Sequence, residues 1–173
     1  MLILAVIVEL AQTDPPRTVN GQPIGTAAEF RRHGPARICL ESTRIILHRG
    51  ETSELDYLGI HVGKITIKTL DGDLHVSEGD AWAAPKRSER AFETDGGFIE
   101  RVGRGRSARY LIFSPSDYSD KPTGRVWVEG SALRGNDRDR TILDRIEVTL
   151  KPPMECDQRF TYGWDALLGE PKD

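Results

Sequence analysis

Short runs of alternating apolar and polar residues recur along this chain, and such alternation is typical of half-buried β-strands. In Lys64-Ile-Thr-Ile-Lys68 the two isoleucines point to one face and the lysines to the other. We predict further strands at 37–41, 44–48, 57–62, 73–76, 81–83, 98–102, 108–113, 125–129 and 146–150, and a hairpin over 18–24 that turns at Asn20-Gly21. Turn residues recur about every 8–12 positions, which is the spacing of a sandwich or barrel. The pattern therefore predicts a mainly β fold, a single antiparallel β-sandwich or small barrel.

Helical periodicity is confined to the C-terminal part of the chain. Asn136 can cap a first turn, with Asp139 three residues later in the reciprocal position, so we predict one short helix over 137–145. A second short helix is predicted over 164–168, where Gly169 and Pro171 would stop it. The fold prediction accordingly includes one or two short helices toward the C-terminus.

The N-terminal segment is an apolar run, Leu2–Val8, followed by a polar stretch that contains Pro15 and Pro16. The run has the length of the hydrophobic region of a signal peptide, and Ala11 offers a small residue for cleavage. Against export, no Lys or Arg precedes the run, and Glu9 lies where a small residue is preferred. We therefore expect residues 1–16 to be a signal peptide and a flexible mature N-terminus before a β-rich domain over 17–173, with a retained first strand as the alternative.

Composition excludes several classes of protein. A chain of 173 residues forms one domain of ordinary size, and the apolar run is far too short to cross a bilayer. The net charge of −3 gives no strong nucleic-acid signal. Arginine outnumbers lysine 18 to 6, which is typical of a GC-rich, bacterial genome.

The two cysteines, Cys39 and Cys156, form no CxxC motif, so zinc-ribbon and thioredoxin-like sites are not indicated. In the periplasm or outside the cell they would pair in a disulfide bond between the first third of the fold and its C-terminal end. In the cytosol they would be two buried thiols. The fate of the N-terminal segment and the state of the cysteines are therefore linked.

A basic, glycine-rich segment is the first candidate site. Its sequence, Gly103-Arg-Gly-Arg-Ser-Ala108, resembles a dinucleotide fingerprint, but a strand follows it where a phosphate site needs a helix. We interpret it as a hairpin loop whose arginines either are solvated or bind an anionic partner. The candidate anion-binding residues are Arg101, Arg104, Arg106 and Arg109.

An aromatic row is the second candidate. Phe160, Tyr162 and Trp164 alternate, so in a strand they share one face and either close the core or bind a ligand. His61 and His75 would occupy the polar face of neighbouring strands, where surface positions are favoured over a metal site because ligand spacing is missing. No motif singles out a nucleophile, a catalytic pair, a metal or a cofactor.

These observations favour an exported β-domain, periplasmic or secreted, that binds a protein or a small anionic ligand without catalysis. One alternative is a cytosolic enzyme or anion-binding protein that uses the Arg101–Arg109 loop. Another is a structural subunit that pairs with a neighbour through its N-terminal strand.

Overall fold

A computed structural model describes residues 17–19, 22–24, 31–58, 62–82, 85–116, 119–148 and 155–160. The strands are β1 (Arg17–Val19), β2 (Gln22–Ile24), β3 (Arg31–His33), β4 (Ala36–Cys39), β5 (Thr43–Leu47), β6 (Thr52–Leu58), β7 (Val62–Thr69), β8 (Gly72–Trp82), β9 (Ser88–Thr94), β10 (Gly97–Val102), β11 (Arg109–Ser116), β12 (Ser119–Glu129), β13 (Ile146–Val148) and β14 (Gln158–Arg159). A 3-10 turn (Gly105–Ser107) joins β10 to β11, and a second one (Asp137–Asp139) leads into the one-turn helix α1 (Arg140–Leu143).

Two sheets make up most of the fold. The large sheet has eight antiparallel strands in the order β3-β6-β7-β8-β12-β11-β10-β9. The small sheet has four strands in the order β13-β5-β4-β14, of which only the β4–β14 pair is parallel. The strands β1 and β2 pair as a separate antiparallel hairpin. The mainly β, sandwich-like fold predicted from the alternation is thus confirmed.

The core lies between the inner faces of the two sheets. In β7 the inward residues Ile65 and Ile67 are buried, whereas Lys68 is exposed, as the alternation predicts. The small sheet contributes Ile38 and Ile45 to the same cluster of buried side chains. One continuous apolar core therefore joins both sheets, and α1 and Phe160 close it at its ends.

Several strand boundaries differ from the predicted ones. The segments 73–76 and 81–83 were expected to be separate strands, but Gly72–Trp82 is one continuous strand. The predicted strand at 57–62 is wrong in its limits, since β6 ends at Leu58 and β7 begins at Val62. The edge strand β9 carries no apolar alternation over most of its length and was missed. The predicted second helix, over 164–168, and the N-terminal run lie outside the described residues.

The predicted disulfide bond between Cys39 and Cys156 is confirmed. It joins the end of β4 to the segment that leads into β14, across a sequence separation of 117 residues. Cys39 is completely buried, and the backbone N–H of Phe160 donates to its carbonyl oxygen at 2.7 Å. Next to the bond, the N–H of Arg37 donates to the carboxylate of Asp157 at 2.7 Å. The bridge and these hydrogen bonds hold residues 155–160 along β4.

The short helix was predicted near its observed position, but one of its two capping contacts was wrong. Asn136 caps the first turn as expected, because its side chain accepts a hydrogen bond from the N–H of Arg138. Asp139 was expected to reach back to the N–H of Asn136, and instead it turns inward and is completely buried. Its carboxylate there accepts three hydrogen bonds, whereas the capping position would offer the single N–H of Asn136.

Candidate functional site

An open cleft of about 450 Å³ lies at one end of the sandwich, beside the free edge of each sheet. We call it the acidic cleft. One wall is the tip of the β9–β10 hairpin with the end of β11, and the other is α1 with β13. Apolar side chains of the core form its floor, among them Ile99, Ile112, Leu143 and Ile146. The cleft therefore lies between a hairpin tip of the large sheet and the helical segment that leads into β13.

Carboxylates line both walls of the acidic cleft. Glu93 and Asp95 come from the β9–β10 hairpin, and Asp144 and Glu147 come from the opposite wall. One guanidinium, that of Arg140, faces them. Because Glu93, Asp95 and Asp144 are exposed, the mouth of the cleft presents negative charge to solvent.

Arg140 connects the two walls. Its Nε donates to the carboxylate of Asp144 at 2.5 Å, and its Nη1 donates to the backbone oxygen of Glu93 at 3.0 Å. Its guanidinium also stands 5.4 Å from the centre of the Phe92 ring, within the range of a cation–π contact. On the α1 side, Glu147 forms an ion pair with Arg44 of β5. These contacts fix the width of the cleft at its base.

The wall formed by α1 is positioned by a buried polar network around Asp139, which we call the Asp139 network. The Oδ2 of Asp139 accepts hydrogen bonds from the hydroxyl of Tyr110 and the N–H of Gly135, both at 2.7 Å, and Oδ1 accepts one from the N–H of Arg134 at 2.8 Å. Burial, followed by the hydrogen bond to Asp139, raises the pKa of Tyr110 well above its usual range. The network ties the loop before α1 to β11 of the large sheet.

The predicted basic segment is a hairpin loop, but its four arginines do not form one surface. Arg101 points to the inner face of the sheet, where it donates to Glu89 at 2.6 Å and to the oxygen of Gly135 at 2.8 Å. The hydrogen bond between Arg101 and Glu89 lowers the pKa of Glu89 and raises that of Arg101. Arg109 lies 5.5 Å from the ring centre of Trp127.

Arg104 and Arg106 remain exposed together at the tip of the same loop. Since Arg101 is engaged with Glu89, anion binding by this loop stays a prediction that rests on these two residues.

The predicted aromatic row is only partly described. Phe160 is buried in the core, with 1% of its surface exposed, so its ring contributes to packing. Tyr162 and Trp164 lie outside the described residues, and an aromatic binding face stays a prediction for them.

His75 places its Nδ1 2.7 Å from the hydroxyl of Thr66, which itself donates to Asp56 at 2.5 Å. Across the described ranges, no group of three potential ligands is placed to hold a metal ion.

Sequence reasoning missed the acidic cleft. Its carboxylates are separated by up to about fifty positions along the chain and share no motif. The signal available in the sequence is the short acidic segment Glu93-Thr-Asp95. The long-range pairing of β13 with β5 brings the second pair of acids to face it.

Comparisons with protein-family models, with curated proteins and with solved structures found no match. Among the described residues, no helix is long and apolar enough to cross a membrane.

Proposed function

We propose that this chain is an exported β-domain, periplasmic or secreted, that binds a partner protein without catalysing a reaction. The acidic cleft carries this proposal, since it combines an apolar floor with charged side chains on both walls. An apolar floor with a few polar groups at the rim is the usual construction of a binding site. The disulfide bond supports export, because such bonds persist mainly in oxidising compartments.

The charge of the cleft indicates the chemistry of the partner. Four carboxylates and one guanidinium line it, so a segment that carries Lys or Arg beside apolar residues is complementary to both rim and floor. An extended segment fits best, because the cleft is open and flanked by the edge strands β9 and β13. The acids support binding better than catalysis, since Glu93, Asp144 and Glu147 are already paired with arginines.

A peptide titration tests the proposal. The probe is the capped peptide Lys-Val-Arg-Val-Lys, added to ¹⁵N-labelled protein and followed by amide chemical shifts. We expect the shifted amides to lie at 93–95 and 144–148. Replacing both exposed acids of the hairpin (Glu93→Gln with Asp95→Asn) should raise the Kd about two- to twentyfold, the range for two exposed charge pairs.

Asp137→Asn is the matched control, because Asp137 is an exposed carboxylate outside the cleft lining and its loss should leave the Kd unchanged. A peptide with Gln in place of each basic residue should bind more weakly. Equal binding of the neutral peptide, or a Kd that the double substitution does not change, would contradict the proposal.

A further inference from the structure

A second cleft, of about 380 Å³, lies on the other side of α1. We call it the Arg145 cleft. It is formed by the turn between β5 and β6, the turn between β7 and β8, and the end of α1. The helical segment separates the two clefts, because Arg140, Leu143 and Asp144 line the first, whereas Thr141, Ile142 and Arg145 line the second.

A buried ion pair forms one side of the Arg145 cleft. Arg145 and Glu51 are each only 8% exposed in their side chains, and the Nη1 of Arg145 lies 2.7 Å from both carboxylate oxygens. Glu51 also accepts a hydrogen bond from the backbone N–H of His48 at 2.7 Å, so its carboxylate has three hydrogen bonds in all. The pair is therefore close to neutral and rigidly held.

The guanidinium of Arg145 is used much less fully than its partner. It carries five N–H donors, and both hydrogen bonds to Glu51 come from Nη1. Its Nε is buried and has no hydrogen-bond partner within the described part of the chain. Nη2 also forms no hydrogen bond within the described part of the chain, and it is not among the buried atoms. Leaving the donors of a charged group unpaired is costly, so an acceptor in the cleft would be stabilised at Nη2.

The rim of the Arg145 cleft is cationic on one side and apolar on another. Arg49, exposed in the β5–β6 turn, and the exposed Thr141 can both donate to an oxyanion. Leu70 lies in the β7–β8 turn and is 91% exposed, and no other large hydrophobic side chain among the described residues is exposed. Ile142 adds apolar surface from α1. Leu70 and Ile142 therefore give one side of the cleft an apolar surface.

We propose that the Arg145 cleft binds a small organic acid with a short aliphatic chain. The carboxylate accepts a hydrogen bond from Nη2 of Arg145 and pairs with the charge of Arg49, and the aliphatic part packs against Leu70 and Ile142. Asp71 also lines the cleft and would repel additional negative charge, so the ligand is a monoanion. This site is separate from the acidic cleft and does not depend on the function proposed for it.

Calorimetry with 4-methylpentanoate as the probe tests this site, and 4-methylpentanamide is its neutral counterpart. We expect the acid to bind and the amide to bind at least tenfold more weakly. Arg49→Gln should raise the Kd of the acid by up to about fivefold, the effect of one exposed charge pair. Leu70→Ser should raise it about fivefold, as expected from lost apolar contact. Both positions are exposed, so neither variant should change the thermal midpoint of unfolding.

Arg106→Gln is the matched control, since it removes an exposed arginine from the distant β10–β11 loop and should leave the Kd unchanged. Chemical-shift changes on adding the acid should centre on Leu70, Thr141 and Ile142. The proposal is overturned if acid and amide bind equally, if the shifts centre elsewhere, or if neither Arg49→Gln nor Leu70→Ser weakens binding.

Discussion

Replacing Asp139 should destabilise the domain more than any exposed acid does, because its carboxylate is completely buried and accepts three hydrogen bonds. In Asp139→Asn the shape is kept, but one carboxylate oxygen becomes an amide group that faces a backbone or phenol donor. At least one hydrogen bond is then lost, the remaining ones are no longer charge-assisted, and two donors are brought together. We expect a loss of about 2–4 kcal/mol in the free energy of unfolding, since hydrogen bonds to charged groups contribute about 1.5–3 kcal/mol each.

The assay is urea unfolding at pH 7 without reductant, followed by tryptophan fluorescence. Tyr110→Phe keeps the ring in the core and removes one donor, so it should cost about 1.5–3 kcal/mol. In the double variant the two losses should not add, because the residues share a hydrogen bond. Asp137→Asn, an exposed neighbour, should change the free energy by less than about 0.5 kcal/mol. A loss below about 0.5 kcal/mol for Asp139→Asn would refute this reasoning.

Three further outcomes follow from buried groups. Glu51→Gln should lower the free energy of unfolding by about 3–5 kcal/mol, because it leaves the guanidinium of Arg145 without its counter-ion. Urea unfolding measures this change, and a loss as small as that expected for a surface ion pair would contradict it. Because the pKa of Tyr110 is raised in the folded state, the phenol of the unfolded chain ionises first, above about pH 10, and the free energy of unfolding falls as the pH rises further. This fall should be smaller in Tyr110→Phe. An equal dependence of the unfolding free energy on pH in both proteins, measured by alkaline denaturation, would count against the raised pKa. Gly130→Ala should lower the thermal midpoint, since Gly130 has φ of 140° and an added Cβ would meet a backbone oxygen at 2.2 Å; an unchanged midpoint in calorimetry would disprove this.

The predictable part of the fold came from local pattern. Ile65 and Ile67 alternate with lysines because one face of β7 is buried, and that arrangement can be inferred from five residues. The disulfide bond was predictable because two cysteines allow a single pairing. By contrast, β9 is an edge strand whose charged residues resemble a loop, since exposed edges are commonly protected by charge.

The candidate sites were less predictable, because their residues meet only through tertiary structure. Glu51 and Arg145 are 94 positions apart, and nothing near either one in the sequence indicates that they are buried together. Asp139 does follow a capping pattern, but the network with Tyr110 across the sheet overrides the local contact. Local rules specify which residues can form a strand or a cap, and packing between distant segments selects the partners.

The proposed export of the domain is linked to the disulfide bond between Cys39 and Cys156, and both can be tested on the same sample. In the loop-entropy treatment, a bridge across 117 residues stabilises the fold by about 4–5 kcal/mol. The direct test is intact-mass analysis of protein from its own host, denatured in the presence of an alkylating agent, because Cys39 is too buried to react in the folded state. We predict no alkylation without reductant, two alkylated thiols after reduction, and a chain that lacks the N-terminal apolar run. Two thiols alkylated without reduction, on a chain that retains that run, would contradict both the proposed export and the disulfide bond.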